Sequence, residues 1–548
     1  MEIEGGPFDI IVVGGGINGS GVARDAALRG LKVLLLDKTD IAAGTTSWSS
    51  RLIHGGLRYL EHGEIPLVYE SLQERERLLH IASHLVFPLP LTLPIYGYHK
   101  RGPLTIRAGM IAYDILSWNK SLPRHRMYSR AGALAHEPGL NPRDLKAAAR
   151  YYDAQIVFPE RISVENMLDA VAHGAIVRNR ARVDDLILEA GRIRGVQFED
   201  ESTGERHLAR GGTVVNVAGP WVDRVLRDAG IETPDNPLLG VTKGTHIVVE
   251  PFPGAPSDAL YIEAKTDGRP YFIIPWNNLY LIGTTDDRYD GDPNRVVPTE
   301  GEIAYLLEET NVAIPSAALT RDSVCYAYAG LRPLPHQESG SESAITRRHI
   351  IHDHAPQVYG LLSIVGGKLT TYRNLSEQTV DKVGDLLGMD LPDSTTGTGL
   401  LPGAPESFGA FARDFQQARP SWLGERSASY LLHIYGVRAN DVVAMAERDA
   451  ALREIVSPAT GLIAAAIVFS FTDEQASTLT DAIMRRTMIG YASDAGFDAL
   501  EGVGQAVAHG LGWDDRRIAT ELERHRDYMT RFLPKALVNT SFELPAVR

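Results

Sequence analysis

Residues 8–37, FDIIVVGGGINGSGVARDAALRGLKVLLLD, constrain the fold more than any other stretch of the chain. A short apolar run passes straight into Gly14-Gly15-Gly16-Ile17-Asn18-Gly19. A helix-like segment follows, and a second apolar run ends in Asp37. This order predicts a strand, a glycine turn, a helix and a second strand, the α/β unit that cradles a dinucleotide. Gly14 permits the tight turn, Gly16 lets the backbone approach a pyrophosphate, and Gly19 lets helix and strand pack closely. Unpaired N–H groups at the start of the helix attract phosphate oxygens. Asp37 can accept hydrogen bonds from a ribose diol and would repel a 2′-phosphate. The motif alone leaves NAD and FAD both open.

A chain of 548 residues has room for two or three domains. Its net charge of −14 argues against a nucleic-acid partner, and an anionic substrate would need a local cluster of Arg and Lys. Cys325 is the only cysteine, so neither a disulfide framework nor a cysteine metal site is expected, and a reducing, cytoplasmic compartment is. No histidine spacing suits a metal on a helix, so none is expected. The chain opens directly on its first strand, without a basic-then-apolar leader. The longest apolar run, Gly461–Phe471, has about half of the roughly 20 residues that a spanning helix needs. No membrane span is expected, and surface attachment stays open.

Pro392–Ser407, PDSTTGTGLLPGAPES, reads as a linker. Strands and helices alternate before it, and residues 408–548 after it read as a separate, all-helical domain. Two hairpins are expected in the first part. Asn277-Asn278 separates two apolar strands, and Ala190-Gly191 separates residues 182–189 from 192–199. Thr213–Trp221, TVVNVAGPW, predicts a buried strand ending in Ala218-Gly219-Pro220. Ser363–Arg373, SIVGGKLTTYR, predicts a strand that runs through Gly366-Gly367 to a helix start at Thr370 and Thr371. Such a helix end can stabilise negative charge on a reduced flavin. In GTTSWSSRLIHGGLRYLE, the Ser/Thr-rich loop offers hydroxyls to a cofactor. A helical turn there would put His54 and Arg58 on one face, and Gly55-Gly56 would clear space for something flat.

GGGINGSGVARDAALRG, SSRLIHGGLRYLE, KGTHIVV, IPWNNLYLIGTTD, AGLRPL and GGKLTTYR, in this order, resemble the FAD-dependent glycerol-3-phosphate dehydrogenases over roughly residues 8–390. The tail motif DAIMRRTMIGYA resembles that family's C-terminal domain. The resemblance implies an α/β fold in which an FAD-binding Rossmann-like domain is interleaved with a β-rich substrate domain, followed by the helical domain. The FAD region would cover about 1–90, 150–225 and 351–391, and the substrate region about 91–149 and 226–350. It implies FAD contacts from Gly14, Gly16, Ile17, Asn18, Gly19, Asp37 and Lys38, and from Thr45, Thr46, Ser47, Ser49, Ser50, His54 and Gly55. Val183, Ala218, Gly219, Trp221, Gly367, Lys368, Leu369 and Thr370 would complete the set.

The implied reaction oxidises sn-glycerol 3-phosphate to dihydroxyacetone phosphate, with FAD taking the hydride. Arg58, Arg332, Arg347 and Lys368 are the candidate phosphate-binding cations, and either Arg347 or its neighbour Arg348 could point inward. His54 and His246 are alternative bases, because imidazole titrates near neutrality. Tyr59 and Asp286 would orient substrate hydroxyls, and Arg332 would stabilise a developing alkoxide. The family implies a membrane quinone as electron acceptor, with oxygen and hydrogen peroxide as the alternative. A homo-oligomer stays open. Peripheral attachment to the cytoplasmic membrane would use the basic tail (Arg516, Arg517, Arg524, Arg526, Arg531 and Lys535), interleaved with Met529, Phe532 and Leu533.

Overall fold

The computed structural model describes residues 3–231, 237–336 and 348–535, without the side chains of Arg58, Glu61 and His62. Two large sheets organise the chain. In the first, strand Phe8–Val13 lies parallel between Val33–Leu36 and Arg206–Asn216. Ile176–Arg178 and Leu361–Val365 extend the parallel set on either side, and Ile350–Asp353 closes it antiparallel. Phe8–Val13, Val33–Leu36 and Leu361–Val365 are almost wholly apolar and buried because helices Ile17–Leu28 and Tyr372–Leu387 pack against the sheet.

The second sheet has ten strands, with the long strands Val86–Tyr96, Leu145–Ile156, Leu239–Val249 and Val324–Pro335 as its frame. Val86–Tyr96 and Leu145–Ile156 straddle the expected divisions at residues 90 and 150. Both expected hairpins form. Trp276 pairs with Leu279 around Asn277 and Asn278, at φ of 52° and 61°. Glu189 pairs with Arg192 around Ala190 and Gly191, at φ of 50° and 74°. Left-handed values at both turn positions match the right-handed twist of the strands.

Among the described residues beyond 408 the chain is helical except for a two-stranded ribbon, Ile455–Ser457 with Leu462–Ile463, which corrects the all-helical expectation in that detail. Among the described residues its core is continuous with that of the first part of the chain. Ile467, Ile483 and Met484 belong to one apolar cluster with Trp48 of the Ser/Thr-rich loop and Trp276 and Tyr328 of the second sheet. The apolar run that begins at Gly461 forms the buried helix Ala464–Thr472, and no helix among the described residues is long and apolar enough to cross a membrane. The expected linker is a packed strap. Leu401 and Ala404 are buried, Leu401 N–H donates to Ile81 O at 2.9 Å, and Gly403 N–H donates to Glu165 Oε2 at 3.0 Å.

Candidate active site and cofactor cavity

The glycine turn is built as its spacing predicts. Gly14 sits at φ +111°, and a Cβ there would lie 2.6 Å from Val217 O. A Cβ on Gly19 would lie 1.8 Å from Gly14 O, so the close helix–strand crossing excludes any side chain. Gly16 differs: a Cβ there would meet only Thr46 Oγ1, at 3.4 Å, on a side that opens into a cavity of about 1370 Å³.

That cavity runs along the carboxyl ends of the parallel strands. Gly14, Gly16, Ile17 and Asn18 line it at the helix start, Asp37 and Lys38 at the next strand end, and Thr45, Thr46 and Ser49 in the following loop. Val183, Ala218, Gly219 and Trp221 line one stretch, and Gly367, Lys368 and Leu369 another. Gly19, Ser47, Ser50, His54, Gly55 and Thr370 are not on its wall. Ser47 donates back to Ala42 O at 2.7 Å, and Thr370 Oγ1 accepts from His54 N–H at 3.1 Å. Gly55 does not clear space for a flat ligand: its missing side chain makes room for Leu72 and Tyr113, each 2.4 Å from where a Cβ would lie. His54 and Arg58 do not share a helical face either, because the helical turn starts only at Leu57, after Gly56 at φ +76°.

The donor set fits FAD. Asn18 Oδ1 is buried on the wall without a hydrogen-bond partner, an acceptor matched to a sugar or ribityl hydroxyl. Helix Ile17–Leu28 starts at the cavity wall after Gly16, which offers no side-chain cap, and Ile17 N–H donates to Thr46 Oγ1 at 3.0 Å. Asp37 Oδ2 accepts from Gly15 N–H at 2.7 Å, and Oδ1 accepts from Thr39 N–H at 2.7 Å. Burial raises its pKa, against these hydrogen bonds. The Lys38 ammonium lies 3.8 Å over the Trp221 ring, and burial lowers its pKa to about 8.

The expected substrate residues fall into two groups. In one, Arg332 Nη1 donates to Asp286 Oδ1 at 3.0 Å and Nη2 donates to Thr284 Oγ1 at 3.0 Å. Asp286 is thus an ion-pair partner of Arg332. His246, on the adjacent strand, lies 2.8 Å through Nε2 from Ser50 Oγ, and its ring stacks on Tyr328 at 4.9 Å. Burial, with Arg332 and Arg51 adding positive charge, drives its pKa well below 6.5, and its Nδ1 is buried without a hydrogen-bond partner. In the other group, Lys368 Nζ lies 3.9 Å over the Tyr59 ring and donates to Ser71 Oγ at 3.2 Å. His54 is near, and burial lowers its pKa to about 4, with Lys368 adding to the fall and Asp153 opposing it. Arg347 lies outside the described residues, as does the side chain of Arg58.

Sequence reasoning missed Arg51, Asp40 and the pair Arg485-Arg486. Arg51 lies under the Ser/Thr loop with no exposed surface. It donates to both Glu160 oxygens at 3.1 Å and packs 4.5 Å from Trp276 and 4.6 Å from Tyr491. Its only sequence signal is its place in the SSRLIHGG stretch. Among the described residues, His136, Glu137 and Asp258 have the spacing of a cation site. Arg150, Thr92 and His136 all contact Asp258 Oδ2, and Ser257 and backbone N–H groups occupy Glu137.

The basic tail does not form an outward apolar surface. Met529 and Phe532 are 1% and 3% exposed, and the Phe532 ring packs 4.9 Å from Trp48. An exposed apolar stripe lies instead on helix Pro103–Leu116 and just past its end. Leu104, Ile111, Ile115 and Trp118 recur at helical spacing and are 82%, 44%, 68% and 79% exposed. Lys100, Arg107 and Arg124 are exposed nearby in the chain.

A family model described as FAD dependent oxidoreductase matches residues 9–373, and one described as the C-terminal domain of alpha-glycerophosphate oxidase matches 394–518. The chain is 45% identical to a glycerol-3-phosphate dehydrogenase of Synechocystis sp. over 538 residues, covering 96% of this chain and 97% of the relative. It is 43% identical to the aerobic glycerol-3-phosphate dehydrogenase of Escherichia coli over 378 residues, covering 68% and 73%. The structure matches that of a Bacillus halodurans glycerol-3-phosphate dehydrogenase complexed with FAD, with a TM-score of 0.77, 28% identity, and 98% and 96% coverage. A cavity that fits FAD, lined in part by the C-terminal domain, and kinship along nearly the whole chain agree: the protein belongs to the FAD-dependent glycerol-3-phosphate dehydrogenase family.

Proposed function

We propose that the protein oxidises sn-glycerol 3-phosphate to dihydroxyacetone phosphate and passes the electrons to a membrane quinone. The observation that carries the substrate assignment is the pairing of fixed cations with histidines kept neutral by burial. Arg332 stands beside His246, and Lys368 beside His54. Arg332 and Lys368 bind the phosphate, together with Arg58 and Arg347. Arg suits bidentate contact, and Lys acts as a point charge. His246 takes the C2 hydroxyl proton on its neutral ring while Ser50 fixes the ring's orientation. His54 lies beside Lys368, where Thr370 accepts from its backbone N–H, Tyr59 orients the hydroxyls, and Asp286 fixes Arg332 through their ion pair. Bound FAD supplies a two-electron acceptor for the C2 hydride. The wall residues from Gly14 to Asp37, from Thr45 to Ser49, at Val183, from Ala218 to Trp221 and from Gly367 to Leu369 hold it.

The exposed face of helix Pro103–Leu116 supports the quinone as acceptor. Leucine, isoleucine and tryptophan flanked by basic residues suit the headgroup boundary of an anionic leaflet. The opposite face packs Tyr113 onto Asp153, which also accepts from Gly55 N–H beside His54. The surface thus adjoins the site, as a peripheral enzyme on the cytoplasmic membrane requires.

Anaerobic mixing tests both halves of the reading. Glycerol 3-phosphate should bleach the yellow protein, and a soluble quinone should restore the colour faster than air-saturated buffer does. Failure to bleach removes the substrate assignment. Equal or faster return of colour with oxygen makes the protein an oxidase. Flotation with anionic vesicles should carry the protein upward, and Trp118→Ser with Ile115→Ser should leave it below.

A further inference from the structure

The C-terminal motif DAIMRRTMIGYA reaches the cofactor cavity through buried charge. Asp40 lies three residues past Asp37 and has no exposed surface. Arg485 Nε donates to its Oδ2 at 2.6 Å. Arg486 donates to Oδ2 at 3.0 Å and to Oδ1 at 2.8 Å. Two consecutive side chains can converge on one carboxylate because Ala482–Arg486 is a π-helical turn. A second bridge runs alongside. Arg180 donates to Asp481 at 2.8 and 3.0 Å and to Thr478 Oγ1 at 3.1 Å. Arg485 also donates to Asp481, joining the two bridges.

Both bridges grip the segment that carries the expected ribose acceptor. Arg180 N–H donates to Thr39 O at 3.0 Å, Ala181 N–H donates to Asp37 O at 2.7 Å, and Asp37 N–H donates to Arg178 O at 3.0 Å. The backbone is held in left-handed conformations at Ala42 (φ 65°), Arg180 (φ 60°) and Gln475 (φ 55°). Non-glycine residues keep such angles only where the surroundings dictate them. Arg180, Thr478 and Arg485 themselves line the cavity beside Asp37 and Lys38. Three guanidiniums face two carboxylates in this cluster, at the stretch of wall beside Asp37, the expected ribose acceptor.

The geometry points to Arg180, Asp481, Arg485 and Arg486 as positioning residues for FAD, through which the C-terminal domain holds the segment from Asp37 to Thr46 in its cofactor-binding shape. Docking of that domain and occupancy of the cavity are therefore linked, each strengthening the other. The matching face of the domain has no substrate role in this scheme, so the linkage stands whatever the electron acceptor.

Flavin fluorescence during titration of the deflavinated full-length protein tests this directly. Arg180→Met, at a partly exposed position, should weaken FAD binding about tenfold, and Arg180→Lys should recover part of the loss. Asp40→Asn should weaken binding similarly while the far-ultraviolet circular dichroism stays unchanged. FAD affinity equal to wild type in a folded variant overturns the proposal. Should Asp40→Asn fail to fold, hydrogen exchange on the wild-type protein decides. FAD should slow exchange over residues 477–487 together with 37–46. Slowing confined to 37–46 means that the C-terminal turn is scaffold only, and the proposal falls.

Discussion

The Ser50 hydroxyl lies 2.8 Å from Nε2 of His246 and joins the Ser/Thr-rich loop to strand Leu239–Val249 at one imidazole. Burial, reinforced by Arg332 and Arg51, keeps that imidazole neutral, with a pKa well below 6.5. A neutral ring can accept a proton at every pH above its own pKa. The value of kcat should therefore stay level as pH falls through 6.5, although kcat/KM drops as the substrate phosphate protonates near pH ~6. An acidic limb in kcat centred near 6.5 would remove His246 from the role of base. Ser50→Ala should lower kcat with little change in KM.

Arg332 predicts a split between substrates. Losing a charge-assisted phosphate contact costs on the order of 1.5–3 kcal/mol. Arg332→Ala should cost that much on glycerol 3-phosphate and far less on glycerol. Equal losses on both would place Arg332 in the chemistry and not in phosphate binding.

Gly244 tests the same guanidinium without removing it. A Cβ at Gly244 would lie 2.3 Å from Arg332 Nη2 and 2.4 Å from Thr284 Oγ1. Gly244→Ala should displace Arg332 and raise KM for glycerol 3-phosphate several-fold while FAD content stays normal. An unchanged KM would show that the displaced guanidinium still reaches substrate.

The parts of the fold that local chemistry dictates were legible in the sequence. The glycine turn, both two-residue hairpins and the helix start after Gly366-Gly367 follow from backbone constraints within a few residues. Long-range pairing was not legible. Asp40 meets Arg485 and Arg486 across some 445 positions, and nothing in a run of charges says which guanidinium is buried. The Pro/Gly/Ser strap shows why composition misleads. It signals the absence of regular structure, whereas Leu401 and Ala404 anchor it between helices. The basic tail misled through its interleaved apolar residues, because Phe532 faces Trp48 and not solvent. The stripe on helix Pro103–Leu116 has the spacing of an ordinary buried face, and only its exposure sets it apart.

Two glycines three residues apart should fail in different ways. Gly16→Val places methyl groups in open cavity, so the protein should fold, melt near the wild-type apo temperature and lack yellow colour. Gly19→Ala drives a Cβ to 1.8 Å from Gly14 O and should cost folding itself. A fully flavinated Gly16→Val protein would falsify the assignment of this turn to the pyrophosphate.

Acid should destabilise the protein in two stages whose order follows from linkage. Burial lowers His54 and His354 to about 4 and His525 to about 3, from 6.5 in the unfolded chain. Above pH 6.5 these rings are neutral in both states and contribute no pH dependence. Between 6.5 and about 4 the unfolded chain binds protons that the folded one does not, so stability falls as pH falls. Depressed carboxylates take over below that window. Burial raises the Glu474 pKa, but Arg161 and Arg438 outweigh it and bring the value down to about 2, so its contribution is lost between 4.5 and about 2. Urea midpoints measured at a series of pH values should drop at each step from pH ~7 down to pH ~4, with net proton uptake on unfolding. A midpoint that stays level from pH 7 to pH ~5 would mean that these histidines protonate in the folded protein, and hence that the pocket around His54 is wetter than its surroundings indicate.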